Sequence, residues 1–305
     1  MQHQDKVIVV VGASGQQGSA VANALLKQGW EVRLLTRNPN RPLLQPLKDL
    51  GAEAYKGDLE DRTSLEKALA GAYGIFSVQT YMGHGVEGEE RQGKVLADVA
   101  QQMQVQHFIY SSILGADCQA EVPHYRSKCC IEEHIGSLEL PATILRPAFF
   151  MENFLHTYRP ILLQGVWTFS LSLNPEVRLP LCAVEDIGKA VALAFERPED
   201  FIGKALPLAG DSCTMPQVAR VFSEVLGTTV RFVELPLEKV RTLSREMSVL
   251  FQWLNKGEMT VNIEELRQTI PDLQTLEDWL RRQQWSPANF DTAREVSRAT
   301  SRSAH

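Results

Sequence analysis

The 305-residue sequence predicts an α/β fold: a Rossmann-type doubly wound parallel sheet, then a smaller, irregular α+β lobe toward the C-terminus. Three observations predict it. Short β-branched runs alternate with longer helical stretches from residue 6 to about 146, a glycine-spaced turn joins the first run to the first helix, and the regular beat stops after residue 147.

Taken in order, KVIVVV (6–11) is an unalternating apolar run of strand length, and EVRLLT (31–36), EAY (53–55), YGIFSV (73–78), HFIYSS (107–112) and ATILR (142–146) are the strands that follow. Between them, 18–29, 42–51, 62–71, 86–103 and 125–136 read as helices, so that each strand pair is a βαβ unit with a right-handed crossover. Beyond 147 the pattern predicts a helix over FFMENFLHTYRPILLQ, strands at VWTFSL and EVRLP, and a helix at VEDIGKAVALAFERP. It continues with a strand at KALPLAG, a helix at TMPQVARVFSEVLG with Thr214 as N-cap, and a strand at TVRFVEL. The expected division is 1–147 for a nucleotide-binding sheet domain, 148–285 for the smaller lobe, and 286–305 as a flexible polar tail with spaced Arg294, Arg298 and Arg302.

Lys and Arg total 31 against 37 Asp and Glu, and a net charge of −6 argues against direct nucleic-acid binding. No apolar run is long enough to cross a bilayer, and MQHQDK offers neither a basic leader nor a small-residue cleavage site, so a cytoplasmic protein without membrane contact is expected. Five cysteines (118, 129, 130, 182, 213) are odd in number, scattered and without a CxxC pair, and fit reduced thiols; the histidines lack ligand spacing, and no metal site is expected.

The chemistry begins at Gly12-Ala13-Ser14-Gly15-Gln16-Gln17-Gly18. Gly12 permits the tight turn, Gly15 lets backbone amides approach a pyrophosphate, and Gly18 brings helix against strand; the anion then meets the positive end of the helix. After the second strand, where an NAD site would place an acid for the ribose 2′-hydroxyl, stands Arg37. Its guanidinium fork suits a 2′-phosphate and hence NADP(H); a solvated surface arginine is the alternative. Asp58-Leu59, after the third strand, is placed to flank the adenine, or else Asp58 is simply an acid at a helix start.

The GxxGxxG spacing resembles that of extended and atypical short-chain dehydrogenases, whose carbonyl chemistry uses a Tyr-x-x-x-Lys pair and a serine at the end of the fifth strand. Ser111, Ser112 and Lys128 are in place, but His124 stands four residues before the lysine and Tyr125 three. Lys128 reads first as a cofactor-ribose ligand and second as a catalytic lysine. His124 is either an acid, since imidazole titrates near neutrality, or a packing residue at a helix start.

GASGQQGSAVANALL, VRLLTRNP, GDLED, EERQGKVLADVA, HYRSK and RPAFFMENF together resemble the NmrA-like family of atypical short-chain dehydrogenases, most of all its NADP(H)-sensing branch, over roughly residues 6–284. The resemblance implies that the turn from Gly12 to Gln17 holds the pyrophosphate, Arg37 with Asn38 the 2′-phosphate, and Asp58 with Leu59 the adenine side. It further implies that Gln79, Thr80 and Tyr81 line the cofactor groove, that Arg91 replaces a phosphate-contacting lysine, that Lys128 meets the nicotinamide ribose, and that Phe150, Met151, Glu152 and Asn153 close over the nicotinamide. Two functions follow from it: a redox sensor with a regulatory protein partner and no ordinary dehydrogenase activity, or an NADPH-dependent reductase of quinones or other apolar acceptors. The glycine-rich stretch Met82–Gly88 is either a segment ordered by cofactor, which would couple occupancy to shape, or a merely flexible surface loop, and the chain is expected to be a monomer or a homodimer.

Overall fold

Ile8, Val9 and Val10 are wholly buried, as an unalternating aliphatic run requires, and β1 (Val7–Val11) lies inside a seven-stranded parallel sheet. On one side the chain adds α1 (Gln16–Lys27), β2 (Glu31–Thr36), α2 (Gln45–Asp49), β3 (Glu53–Lys56) and α3 (Arg62–Leu69). It then crosses to the other side with β4 (Ala72–Ser77), α4 (Gly85–Gln102), β5 (His107–Ser111), α5 (Pro123–Ser137) and β6 (Ala142–Pro147). The computed structural model describes residues 6–116, 122–283 and 285; Cys118 and the expected tail 286–305 lie outside the described residues.

Every strand and helix expected up to residue 146 is present with ends shifted by about two residues, except that 42–51 splits into a 3-10 turn at Pro42–Leu44 and the short α2. After β6 the chain weaves between two compact units. One holds the residues up to Ala148 together with Val184–Ala209 and Val261–Leu273; the other holds Phe149–Ala183, Gly210–Thr260 and the described residues from Gln274 onward.

The second unit opens with β7 (Phe149–Phe150), β8 (Ile161–Leu163), β9 (Val166–Leu171) and β10 (Arg178–Cys182), and here the structure corrects the sequence reading. The helix expected over 149–164 does not form. One 3-10 turn, Met151–Phe154, takes its place, because Pro160 has no amide to continue a helix and Gln164 and Gly165, both at positive φ (48° and 82°), make the two-residue turn of a β8–β9 hairpin.

A second correction concerns α6 (Val184–Glu196), α7 (Pro198–Phe201) and β11 (Ala205–Leu208), which belong to the first unit rather than to the lobe. β11 lies parallel to β6 and completes the sheet in the order β11-β6-β5-β4-β1-β2-β3. α6 packs on α1 with its backbone so close that a Cβ on Gly188 would stand 2.5 Å from the carbonyl oxygen of Ala20.

The remaining elements are β12 (Asp211–Thr214), α8 (Met215–Leu226), β13 (Val230–Glu234), α9 (Leu237–Leu243), α10 (Arg245–Leu254), α11 (Ile263–Thr269) and α12 (Leu276–Arg282). Thr214 caps α8 as expected, in a reciprocal box with Gln217. In the second unit two three-stranded sheets, β12-β10-β7 and β13-β9-β8, surround Phe154, Phe169 and Phe222, whose ring centroids lie 5.7–6.1 Å apart. No helix among the described residues is long and apolar enough to cross a membrane.

Candidate functional site

Because the seven strands are parallel, everything that follows a strand's last residue gathers at one edge of the sheet, and the order reverses between β1 and its neighbours β2 and β4. The glycine turn after β1, Arg37 after β2, Asp58 after β3, Gln79–Tyr81 after β4 and Ser111–Ser112 at the end of β5 all share that edge. The chain order of these motifs thus becomes a row in space.

The turn is built as its spacing demands. Gly12 sits at φ +69° and accepts a 2.8 Å hydrogen bond from the Gly15 amide, while a Cβ on Gly18 would fall 2.4 Å from the Gly12 carbonyl carbon and oxygen. Gly15 caps α1 without a side-chain hydrogen bond, leaving the first-turn amides to an incoming acceptor. Ala13 is buried, and Gln16 is exposed. Gln17 turns inward, its side-chain oxygen accepting from the Ser111 hydroxyl at 2.6 Å, and so fastens the turn to β5.

Arg37 is exposed and enters no ion pair among the described residues. Asn38 shapes the loop: its side-chain oxygen accepts from the Asn40 amide at 3.0 Å, and its own amide donates to the Thr36 hydroxyl at 3.2 Å. That loop turns the chain back on itself and brings a second guanidinium to the glycine turn, where Arg41 donates to the Ser14 hydroxyl at 3.1 Å. Arg41 escaped the sequence reading because periodicity does not say how a loop after Pro39 folds back; its position four residues after Arg37 was the available signal.

Asp58 receives the Glu60 amide at 3.1 Å and donates its own amide to Ser64, and half-buried Leu59 packs on the sheet core. Arg91 is held at the same edge by a bidentate pair with Glu60, at 2.9 and 3.0 Å, which Gln92 joins at 2.9 Å. These hydrogen bonds from Arg91 and Gln92 pull the Glu60 carboxyl down to about 2. The guanidinium expected to contact phosphate thus already serves a carboxylate.

At the other end of the row, the Lys128 ammonium contacts Glu89 at 2.9 Å and donates to the backbone oxygen of Gln79 at 3.0 Å. The lysine is 11 % exposed and the glutamate 1 %, so this is a buried ion pair, and the Ser127 hydroxyl binds the second Glu89 oxygen. Gly93, one turn beyond Glu89, makes the burial feasible: a Cβ there would lie 2.6 Å from Ile131, so α4 and α5 meet closely on that face. Glu89 was missed as one more charge in an acidic helix, and its spacing to Gly93 was the signal. Gln79 is buried, and the Thr80 hydroxyl accepts from the Met82 amide at 3.2 Å. α4 starts at Gly85, which takes Gly85–Gly88 out of the loop expected over Met82–Gly88.

Tyr81 stacks on His124, with centroids 4.9 Å apart and planes at 20°. Tyr125 is buried, and burial pushes its phenol well above the ordinary range. The Ser112 hydroxyl is buried with no hydrogen-bond partner among the described residues. Phe150, Met151, Glu152 and Asn153 belong to the second unit. There Met151 is buried, Glu152 accepts from the Trp279 indole at 3.0 Å, and the Asn153 carbonyl receives the Tyr158 amide. Among the described residues no group of three or more His, Cys, Asp or Glu is placed to hold a metal ion.

The sequence profile described as the NmrA-like family matches residues 4–280. An NmrA-like family domain-containing protein of Dictyostelium discoideum is 28 % identical over 268 residues, covering 82 % of this chain and 88 % of its own. Among solved structures, the negative transcriptional regulator NmrA in complex with NADP aligns with a TM-score of 0.77 at 21 % identity, covering 91 % of this chain and 95 % of its own. An NADPH-dependent quinone oxidoreductase from Escherichia coli, complexed with NADPH, aligns with a TM-score of 0.77 at 20 % identity, covering 90 % and 99 %. At these identities the two structures share the fold.

Proposed function

The chain belongs to the NmrA-like family, and from that premise we propose that it binds NADP(H) and acts as a redox sensor, a regulator whose choice of protein partner follows cofactor occupancy. The observation that carries this reading is the clamp on Lys128: its ammonium is ion-paired with the buried Glu89 and donates to the Gln79 carbonyl, and the phenol three residues before it, Tyr125, is buried and harder to ionise. A lysine so committed can orient a ribose hydroxyl with a remaining donor. It does not turn a phenol into an acid/base, and Tyr-x-x-x-Lys dehydrogenase chemistry is absent from the reading.

The residues fit the cofactor. Uncapped amides at α1 and the close Gly12–Gly18 approach suit a pyrophosphate, while Arg37, with Asn38 beside it and Arg41 on Ser14, suits a 2′-phosphate. Bound cofactor would supply hydride chemistry; the chain's own residues bind and orient it. Tyr81 links the row to α4 through the amides of His84 and Gly85, which donate to its carbonyl oxygen, and α4 carries Glu89; in this reading, occupancy felt at Tyr81 would pass to the helix whose Glu89 pairs with Lys128.

A second reading, an NADPH-dependent reductase of quinones or other apolar acceptors, draws support from the unpartnered buried Ser112 hydroxyl and from the flat Tyr81–His124 stack. Calorimetric binding of NADP(H) and NAD(H), followed by NADPH oxidation against a panel of quinones, separates the two. The sensor reading expects NADP(H) binding without saturable turnover, and about a tenfold or greater loss of NADP(H) affinity in Arg37→Ala and Arg41→Ala with NAD(H) little changed. Equal loss of both cofactors overturns the 2′-phosphate assignment. Lys128→Ala would leave Glu89 buried alone, at about 3–5 kcal/mol, so the lysine is tested as the pair Lys128→Met with Glu89→Leu. Saturable turnover in the wild type that this pair abolishes establishes the reductase instead.

A further inference from the structure

β13 is an edge strand: it pairs with β9 on one side and with no strand on the other among the described residues. The direction of its backbone groups can be worked out. In a parallel ladder alternate residues point both N–H and C=O at the same neighbour, and the Leu235 amide donates to Leu171 just past β9, so Val233 and Arg231 also face β9. Val230, Phe232 and Glu234 then face outward. The Ser223 hydroxyl of α8 satisfies the first of these, receiving the Val230 amide at 2.9 Å and donating to its carbonyl at 3.2 Å. No side chain or backbone group among the described residues does the same for Phe232 and Glu234.

Beside this open edge runs a groove of about 460 Å³ within the second unit. Pro216 and Ala219 of α8, with Val230 and Phe232, give it an apolar wall, and Arg220 from α8 and Arg231 and Glu234 from the strand line it as well. Arg220 is 70 % exposed with only a 3.8 Å contact to Glu224, and Arg231 enters no ion pair among the described residues. Consecutive strand residues point to opposite faces, so Arg231 lies on the face opposite Phe232, while α8 places Arg220 on the Phe232 side.

We infer that the β13 edge and its groove form a docking site for an extended acidic segment of a partner protein, which adds as a fourth strand on Phe232 and Glu234 and sets two adjacent acidic side chains against Arg220 and Arg231. Backbone pairing supplies affinity and the two arginines supply selection, as in other strand-addition interfaces. Glu234, at the far end of the strand, repels a third acid and fixes the register.

The test uses full-length protein and a fluorescent eight-residue peptide with two adjacent glutamates flanked by valine and threonine, read by anisotropy. Binding should be about tenfold tighter than for the same peptide with glutamines, and Arg220→Glu with Arg231→Glu should remove that preference. Glu234→Pro deletes one outward amide without touching the β9 ladder and should weaken binding severalfold, whereas Glu234→Gln should hold or improve it. Equal binding of the two peptides, or an unchanged preference in the double arginine variant, overturns the proposal. So does a concentration-dependent dimer of the wild type that Glu234→Pro abolishes, which would assign the edge to a second copy of this chain. None of these outcomes depends on cofactor, so the result stands apart from the sensor reading.

Discussion

At the scale of single residues, His107 shows how a group outside the site can govern stability. The Thr143 hydroxyl donates to the Phe201 carbonyl at 2.9 Å and therefore accepts from His107 Nε2 at 2.8 Å, which fixes the neutral tautomer and leaves buried Nδ1 unpartnered among the described residues. Burial pushes this imidazole down to about 4. The unfolded chain, with an ordinary histidine near 6.5, binds the extra proton between those values, so the stabilisation is present at neutral pH and is lost as pH falls from about 6.5 to about 4. Urea titrations should show His107 costing the native state about 2 kcal/mol at pH 5 relative to pH 7.5, with His107→Gln lacking this dependence. Residues were read from sequence most securely where a motif fixed their backbone, as at Gly12, Gly15 and Gly18. Arg41 and Glu89 were hidden because their partners, Ser14 and Lys128, come from elsewhere in the chain.

At the scale of elements, the meeting of β1 and α1 rests on one missing methyl group. A Cβ at Gly18 would strike backbone atoms, 2.4 Å from Gly12 and 2.6 Å from the Ala13 nitrogen, and backbone cannot swing aside. Gly18→Ala should therefore cost about 1–3 kcal/mol in urea unfolding and weaken NADP(H) binding together. Gly15→Ala, whose Cβ would stand 3.3 Å from a single carbonyl oxygen, should cost less stability. Element type was legible up to residue 146 because period and punctuation agree there. It failed at 149–164, where apolar FFMENFL imitates a helical face while Pro160 and Gln164-Gly165 impose a stop and a hairpin, and the punctuation was the truer signal.

At the scale of the whole molecule, the placement of β11 was beyond sequence reading. Nothing in KALPLAG says that it pairs with β6 rather than with a strand of the lobe, since a pairing partner is a non-local fact. The chain passes between its two units five times, at 148/149, 183/184, 209/210, 260/261 and 273/274. A fragment ending at residue 148 therefore lacks α6 and β11, and we expect it to be insoluble or molten by near-ultraviolet circular dichroism, where the full chain gives a resolved spectrum. The same threading sets a schedule for synthesis. Once β6 has left the ribosome, residues 148–204 must still be made before β11 can close the sheet. At roughly 5–20 residues per second that is about 3–11 s in which the Ala142–Pro147 edge stays bare, and a nascent chain in that interval is the form of this protein most in need of a chaperone.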